Sequence, residues 1–357
     1  MKIKILGAGS IGNHLSHASR SLGWAVDLCD LDSAALARTR ESIYPGRYGA
    51  WDEEIRLYGA GEAPQGGYDM IFVGTPPDSH VPLARQAVAE KPRAVLVEKP
   101  LSPPDMQDLD RLAEEADRAG VAVFVGYDHV VGEAVATVEA LLAQNAIGRI
   151  ETLDVEFREY WGGIFAAHPW LAGPQDSYLG FWKRGGGASG EHSHAVNLWQ
   201  HVAHAAGAGA VREVEAMLTY VEDGTLDYDS LCAFTLRTES GLAGRCVQDV
   251  VTKPPRKWGR VQGSDGHIEW SIGHKPGQDA VFWQFGEGEL QEKTIAKTRP
   301  DDFIRELRHI GAALGEDPAA SPISLARGID TMRVVAAAHL SEAEGRRIAL
   351  GAKPAAH

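Results

Sequence analysis

Short apolar runs punctuate the first third of the chain, and stretches with helical spacing separate them. Residues 3–6, 25–29, 70–73, 94–97 and 121–125 are rich in β-branched side chains and nearly continuous in hydrophobicity. Strands buried on both faces read this way. Residues 14–22, 33–42, 82–90 and 105–119 repeat their apolar positions at the helical period. Strand–helix alternation of this kind predicts a parallel, doubly wound sheet. Residues 44–67, rich in glycine and tyrosine, hold a short strand or helix that the pattern does not place.

Beyond Gly126 the period changes. A helical stretch over 132–144 leads into longer runs at 150–160, 214–221, 230–237, 242–251, 267–272 and 280–285. Several alternate apolar and polar residues, which predicts an antiparallel or mixed sheet with one wetter face. Helices over 301–314 and through Leu325, Ile329, Met332, Val335 and His339 close the chain. The expected fold class is α/β for an N-terminal nucleotide-type domain over 1–126, followed by an α+β domain over 127–357. The C-terminal helices within 301–345 are expected near the domain junction.

Length and charge narrow the partners. The 357 residues fit two domains with real cores. A formal charge of −14 makes the whole chain a poor binder of nucleic-acid backbones or anionic membranes. Three cysteines, with no CxxC pair, make no disulfide framework and suit a reducing compartment. No apolar run is long enough to span a bilayer, and the first strand starts almost at Met1. The expectation is a cytoplasmic protein without nucleic-acid or membrane partners.

Chemistry enters at the first turn. Gly7-Ala8-Gly9-Ser10-Ile11-Gly12 is GxGxxG between a strand and a helix. The first glycine permits the turn, the second lets backbone approach a pyrophosphate, and the third lets the helix pack on the strand. Asp30 ends the second strand, where a carboxylate accepts ribose hydroxyls and repels a 2′-phosphate. This favours NAD(H) and disfavours NADP(H) without forbidding it. Thr75-Pro76-Pro77-Asp78-Ser79-His80 and Glu98-Lys99-Pro100 follow the next two clear strands, at the edge where such sheets bind ligands. A lysine there can polarise a substrate oxygen or shift a proton. The bland alternative is a surface ion pair of Glu98 with Lys99.

A second constellation follows Gly185-Gly186-Gly187. Read as one helix capped by Ser189, the segment puts Glu191 in its first turn, with His194 three residues on and on the same face. Asn197 and His201 continue that stripe, while His192 points away. An acid beside an imidazole favours the charged ring and fixes its orientation, as general acid/base work requires. A lone helical histidine is more often structural. Metal binding is the weaker reading, since His192 and His194 diverge and no HExxH or cysteine partner is present. Upstream, beside His168, the rings of Trp170, Tyr178 and Trp182 could stack on a sugar ring, and Lys183 and Arg184 could meet a carboxylate or phosphate. Aromatic core and solvated charge are the plainer readings of each.

Taken together, the chain resembles the glucose–fructose oxidoreductase / inositol dehydrogenase / MocA family nearly end to end. The resemblance rests on GAGSIG, Asp30, TPPDSH, EKP, GYDH at Gly126–His129, the GGG…EHSHAVN segment and the stretch from Ser321-Pro322 to Arg346. It implies a Rossmann domain, a second domain on a large open sheet, and a homodimer or homotetramer formed through that sheet. It implies NAD(P)-dependent redox chemistry at a carbinol carbon of a sugar, cyclitol or nucleotide-sugar. Lys99 matches the family's active-site lysine and His194 its helix histidine. Glu191 and Asn197 stand where aspartates are usual, in an ExSHxxD-like variant. Asp128 replaces a frequent asparagine, and Val130 falls where an arginine is common. The implied cofactor residues are Gly7, Gly9, Ser10, Ile11, Gly12, Asp30, Thr75, Pro76, His80, Glu98 and Lys99. The implied substrate residues are Tyr127, Asp128, Tyr160, Trp161, His168, Trp170, Lys183 and Arg184, with Lys99, His194 and Glu191 catalytic. Two rivals are a redox-neutral NAD-assisted glycosidase and a non-catalytic nicotinamide-binding sensor.

Overall fold

The computed structural model describes residues 1–59, 61–166, 168 and 170–351. They divide into two compact units, one of 1–102, 107–128 and 299–329, the other of 103–106, 129–298 and 330 onward.

The first unit opens with β1 (Lys2–Leu6), α1 (Ser10–Ser21), β2 (Ala25–Cys29), α2 (Ser33–Arg38), α3 (Tyr44–Tyr48) and β3 (Ile55–Tyr58). It continues with β4 (Met70–Val73), α4 (His80–Ala89), β5 (Ala94–Val97), α5 (Leu109–Ala119) and β6 (Ala122–Val125). All pairings are parallel, in the order β3-β2-β1-β4-β5-β6. The order reverses at β1, which is the Rossmann topology and puts a crevice beyond the carboxyl ends of β1 and β4. Met70–Val73 and Ala94–Val97 are buried at every position, which is why their hydrophobicity is unbroken. Residues 44–67 resolve into α3 and β3, and β3 is an edge strand with only Ile55 buried. The expected single helix over 33–42 is α2 followed by a wider turn over Thr39–Ile43, and α5 starts later than expected, at Leu109.

The second unit begins with α6 (Glu133–Leu142), β7 (Ile150–Arg158), α7 (Gly162–Ala166), α8 (Gly187–Glu191) and α9 (His194–Ala205). Then come β8 (Val211–Glu222), β9 (Asp227–Thr238), β10 (Ala243–Asp249), β11 (Arg256–Gly263), β12 (Gly266–Lys275), β13 (Gln278–Phe285) and β14 (Gln291–Ala296). The helices α10 (Arg299–Ala313) and α11 (Leu325–Glu344) and the short β15 (Ile348–Ala349) close the described chain. The sheet has nine strands in the order β14-β13-β12-β11-β7-β10-β9-β8-β15, antiparallel except where β10 pairs with β7. Three of its strands escaped the sequence pattern. β11 is interrupted by Gly259 within a charged run, β14 is exposed at all positions but Ile295, and β15 has two residues.

α10 returns to the first unit, where Phe303 stacks on His14 of α1 at 4.8 Å. Trp199 of α9 is fully buried on the second sheet and donates to the Leu153 carbonyl at 2.8 Å. Cys29, Cys232 and Cys246 are free and buried. Among the described residues no helix is long and apolar enough to cross a membrane.

Gly259 lies opposite Trp270 in the β11–β12 register, and a Cβ there would stand 2.0 Å from the buried indole. Gly259→Ala should therefore destabilise the protein by about 1–3 kcal/mol in denaturant unfolding. Gly311, inside α10 with nothing near its missing Cβ, should give the reverse. Gly311→Ala should stabilise by about 0.5–1 kcal/mol.

Candidate active site

At the carboxyl edge of the first sheet the chain has no slack. Gly7 adopts φ +104°, and a Cβ there would meet the Gly74 carbonyl oxygen at 2.6 Å. A Cβ on Gly12 would stand 1.9 Å from the Gly7 carbonyl oxygen, so α1 lies against the turn as only glycine allows. Gly9, in contrast, is exposed with open space beside it. Gly9 is also the N-cap of α1, no side chain caps that end, and no acid lies in the first turn. Its N–H groups are therefore available to an anion. Asp30 accepts from the Ala8 N–H at 2.7 Å and the Asp32 N–H at 2.8 Å, which ties it to the glycine turn. Leu31 beside it is 89% exposed, an apolar face that the motif reading passed over. Ser10 and Ile11 are half-buried at the start of α1. These residues fit a dinucleotide: a tight turn, room at the second glycine, open helix N–H groups and a placed acid.

His80 is fully buried, with Nδ1 2.8 Å from the Pro100 carbonyl and Nε2 2.7 Å from the Thr75 carbonyl. It braces the loop after β4 to the loop after β5. Burial lowers its pKa to about 4, although only a doubly protonated ring can donate to both carbonyls. Thr75 is half-buried, Pro76 exposed, and Thr75 Oγ1 lies 2.7 Å from Ser79 Oγ.

Glu98 does not form a surface ion pair: it is 5% exposed and packs against Gly126. Burial, then the charge of Asp128, pushes its carboxyl up to about 8. Glu306 of α10 is fully buried, neither carboxylate oxygen has a hydrogen-bond partner, and burial with Glu98, Asp128 and Asp302 raises it well above the usual range. Both carboxyls are thus shifted toward the protonated form. Lys99 is half-buried and follows directly, its N–H 3.3 Å from Glu98 Oε2. Tyr127 is fully buried and Asp128 is 6% exposed.

In the second unit the segment after the three glycines is two helices, where the sequence pattern suggested one. Glu191 ends α8 instead of lying in a first turn, and His194 begins α9 after a break at His192 and Ser193. Ser189 does not cap. It lies inside α8 and donates to Asp229 Oδ1 at 3.0 Å, while its N–H donates to Asp229 Oδ2 at 2.7 Å. A Cβ on Gly187 would fall 2.0 Å from Asp229, so the third glycine makes room for this carboxylate. Ser189 Oγ is also 3.0 Å from His339 Nε2, and His339 Nδ1 is 2.7 Å from the Tyr220 hydroxyl. Gln248 donates to the His192 carbonyl at the break. The outcome is selective exposure: from Gly185 to Gln200 every residue is buried except Glu191 and His194.

The His194 ring packs 4.6 Å from His129 and 6.3 Å from Phe157. Glu191 accepts from the Tyr178 hydroxyl at 3.3 Å. Asn197 turns to Thr331 at 3.1 Å, and His201 pairs with Glu139 at 2.9 Å, so both tie α9 to other helices. Two residues that sequence reasoning missed lie nearby. Lys257 is 3.0 Å from Glu159 and 5.9 Å from the Phe157 ring centre, so it flanks the ring that His194 packs on. Burial opposes ionisation of Glu159, but Lys257 outweighs it and holds the carboxyl below its usual range. Lys257 sits in a K-P-P-R-K run that reads as a solvated loop, and only the β11–β7 register reveals its place.

The other expected substrate residues scatter over this unit. Trp161 is buried against Tyr228, and Tyr160 is exposed beneath Lys253, whose Nζ is 3.5 Å from the ring centre. His168 and the exposed Trp170 meet edge-on at 5.1 Å. Lys183 pairs with Asp227 at 3.0 Å, and the Arg184 guanidinium is 5.8 Å from the Phe181 ring.

Comparison with known proteins agrees with this anatomy. Residues 1–127 match the model of the oxidoreductase family with the NAD-binding Rossmann fold, and residues 135–269 match the GFO/IDH/MocA C-terminal domain. The chain belongs to the GFO/IDH/MocA family of NAD-binding oxidoreductases. Among curated protein sequences none is similar enough to match. Similar solved structures include an oxidoreductase from Agrobacterium radiobacter in complex with NAD+, L-tartaric acid and magnesium, with TM-score 0.75, 20% identity and 98% of each chain covered. The WlbA dehydrogenase from Bordetella pertussis, with NADH and UDP-GlcNAcA, has TM-score 0.73 and 21% identity over 99% of each chain. A levoglucosan dehydrogenase with NADH and L-sorbose has TM-score 0.78 and 15% identity over 98% of this chain and 99% of its own. At these identities the likeness is one of fold.

Asp229 gives a testable sign. Burial raises its carboxyl to about 7, against hydrogen bonds from Ser189 that oppose the rise. Its folded pKa exceeds the unfolded value, so its contribution is fully present below about pH 4 and is lost as pH rises to about 7. In urea unfolding between pH 5 and 7, Asp229→Asn should lose less stability with rising pH than the wild type. An identical pH slope in both would contradict this.

Proposed function

We propose that this protein is an NAD(H)-dependent dehydrogenase or reductase acting on a secondary carbinol of a sugar, cyclitol or nucleotide-sugar. The observation that carries this reading is that Glu191 and His194 are half-buried in an otherwise fully buried segment. Burying everything around one imidazole and one carboxylate suits proton transfer at a substrate hydroxyl better than it suits packing.

The glycine turn from Gly7 to Gly12 holds the pyrophosphate, Asp30 the ribose hydroxyls and Leu31 the base. The loops at Thr75, Pro76 and His80 and at Glu98 and Lys99 line the nicotinamide half. Bound there, the cofactor supplies hydride exchange. His194 takes or gives the hydroxyl proton, with Glu191 as its acidic partner. Lys99 offers an ammonium to the developing negative oxygen. Burial and the charge of Asp128 raise the carboxyl of its neighbour Glu98, which weakens the opposing charge there. Lys257 and Glu159, a donor and an acceptor side by side, bind sugar hydroxyls beside His194. The remaining substrate contacts come from the expected set, led by Tyr160 and Trp170, which are exposed. Assembly as a homodimer or homotetramer through the nine-stranded sheet belongs to the same reading, and Met217 of β8, 62% exposed, supports it.

The test is NADH titration followed by a panel of sugars, cyclitols and nucleotide-sugars, read by NADH absorbance. His194→Ala should lower turnover about 10²–10⁴-fold while NADH affinity stays within about twofold. Lys99→Met should behave the same way. Equal loss of turnover and cofactor binding would count against these roles. Turnover without any net change in NADH would point instead to a redox-neutral reaction.

A further inference from the structure

The phosphate end of the first unit holds two cations that the reading above leaves idle. α3 brings Arg47 onto the first turn of α1. Its guanidinium donates to the Ser10 carbonyl at 3.0 Å and to the Ser10 hydroxyl at 2.9 Å. The same group lies 3.4 Å from His14 Nε2. Arg299, the first residue of α10, belongs to the same flank of α1. Its guanidinium is 5.4 Å from the centre of the Phe303 ring, and Phe303 stacks on His14.

Many arginines of the unit meet carboxylates: Arg20 with Asp52 at 2.8 Å, Arg56 with Asp27 at 2.7 Å, Arg85 with Glu115 at 2.8 Å. Neither Arg47 nor Arg299 forms an ion pair with a carboxylate among the described residues. Burial, with the Arg299 charge adding to it, holds the Arg47 guanidinium below its usual range. In a protein of net charge −14, two such cations near one another lack an anion. Between residues 9 and 12 the open N–H groups of α1 lack the same partner.

We propose that Arg47 and Arg299 clamp the pyrophosphate of the dinucleotide. Arg47 adds a full charge where Ser10 anchors it, and Arg299 adds a second. The helix end supplies only a partial charge, so a diphosphate is neutralised by the set and not by the turn alone. The inference rests on the NAD(H) reading and extends it to residues that lie outside the glycine motif. It also commits to a ligand class: a diphosphate, not a bare nucleoside, is what the two arginines select.

The experiment measures NADH binding by fluorescence, with ADP-ribose and adenosine as competitors, on the full chain. Arg47→Ala should weaken NADH and ADP-ribose by about tenfold or more, with adenosine unchanged within about twofold. Arg47→Lys, which keeps the charge but not the fork, should recover part of the loss. Arg299→Ala should weaken both phosphate ligands by a smaller factor, again sparing adenosine. The clamp is overturned if both alanine variants bind NADH as the wild type does. It is also overturned if adenosine weakens as much as ADP-ribose, which is what a packing defect would do. Should Arg47→Ala not fold, Arg299→Ala and Arg47→Lys still decide, because Arg299 is exposed. A wild type that binds no NADH is a different result, and it removes the cofactor reading itself.

Discussion

The closeness of the first helix to the first strand governs the rest of the N-terminal unit. No atom can be added at Gly12 without entering the Gly7 carbonyl oxygen. That contact sets how tightly the chain turns between Gly7 and Ser10, and so where the open end of α1 points. Asp30 is fastened to the same turn through the Ala8 N–H. Arg47 is fastened to it through Ser10, and α10 reaches it through Phe303 and His14. A looser approach would separate these groups from one another even if each element formed.

A second kind of constraint works a strand farther along. His80, Glu98 and Glu306 are polar groups held in a nearly dry interior. His80 joins two loops that are adjacent in space and distant in sequence. Burial shifts Glu98 and Glu306 toward their neutral forms, which lowers the cost of burying them. In the second unit the corresponding device is Asp229, which holds the start of α8 from across the sheet and makes use of the space left by Gly187.

Much of this architecture is legible in the sequence. Residues 70–73 and 94–97 coincide with β4 and β5, because strands buried on both faces leave an unbroken apolar signature, and 25–29 coincides with β2 despite the buried Asp27. β11 and β14 were illegible for other reasons: two of the three buried positions of β11 are glycines, Gly259 and Gly263, and β14 is exposed at all positions but Ile295. The break between α8 and α9 was hidden because both halves keep helical composition. It arises from long-range partners, Asp229 and Gln248, that no local window contains. Glu191 and His194 were legible as residues, but their shared exposure was not. Arg47 and Lys257 were invisible as site candidates, since each gains its place from a register or a tertiary contact.

The three thiols carry one more consequence. Burial pushes Cys29 up to about 11 and leaves Cys232 and Cys246 without solvent contact. At neutral pH the native protein therefore presents almost no thiolate to an electrophile. Alkylation of these sulfurs must wait for the interior to open. Cys29 lies at the end of β2, whereas Cys232 and Cys246 lie diagonally across the β9–β10 pair, opposite Gln248 and Phe234 respectively. Modification of the first sulfur thus times the opening of one core, and modification of the other two times the opening of the second.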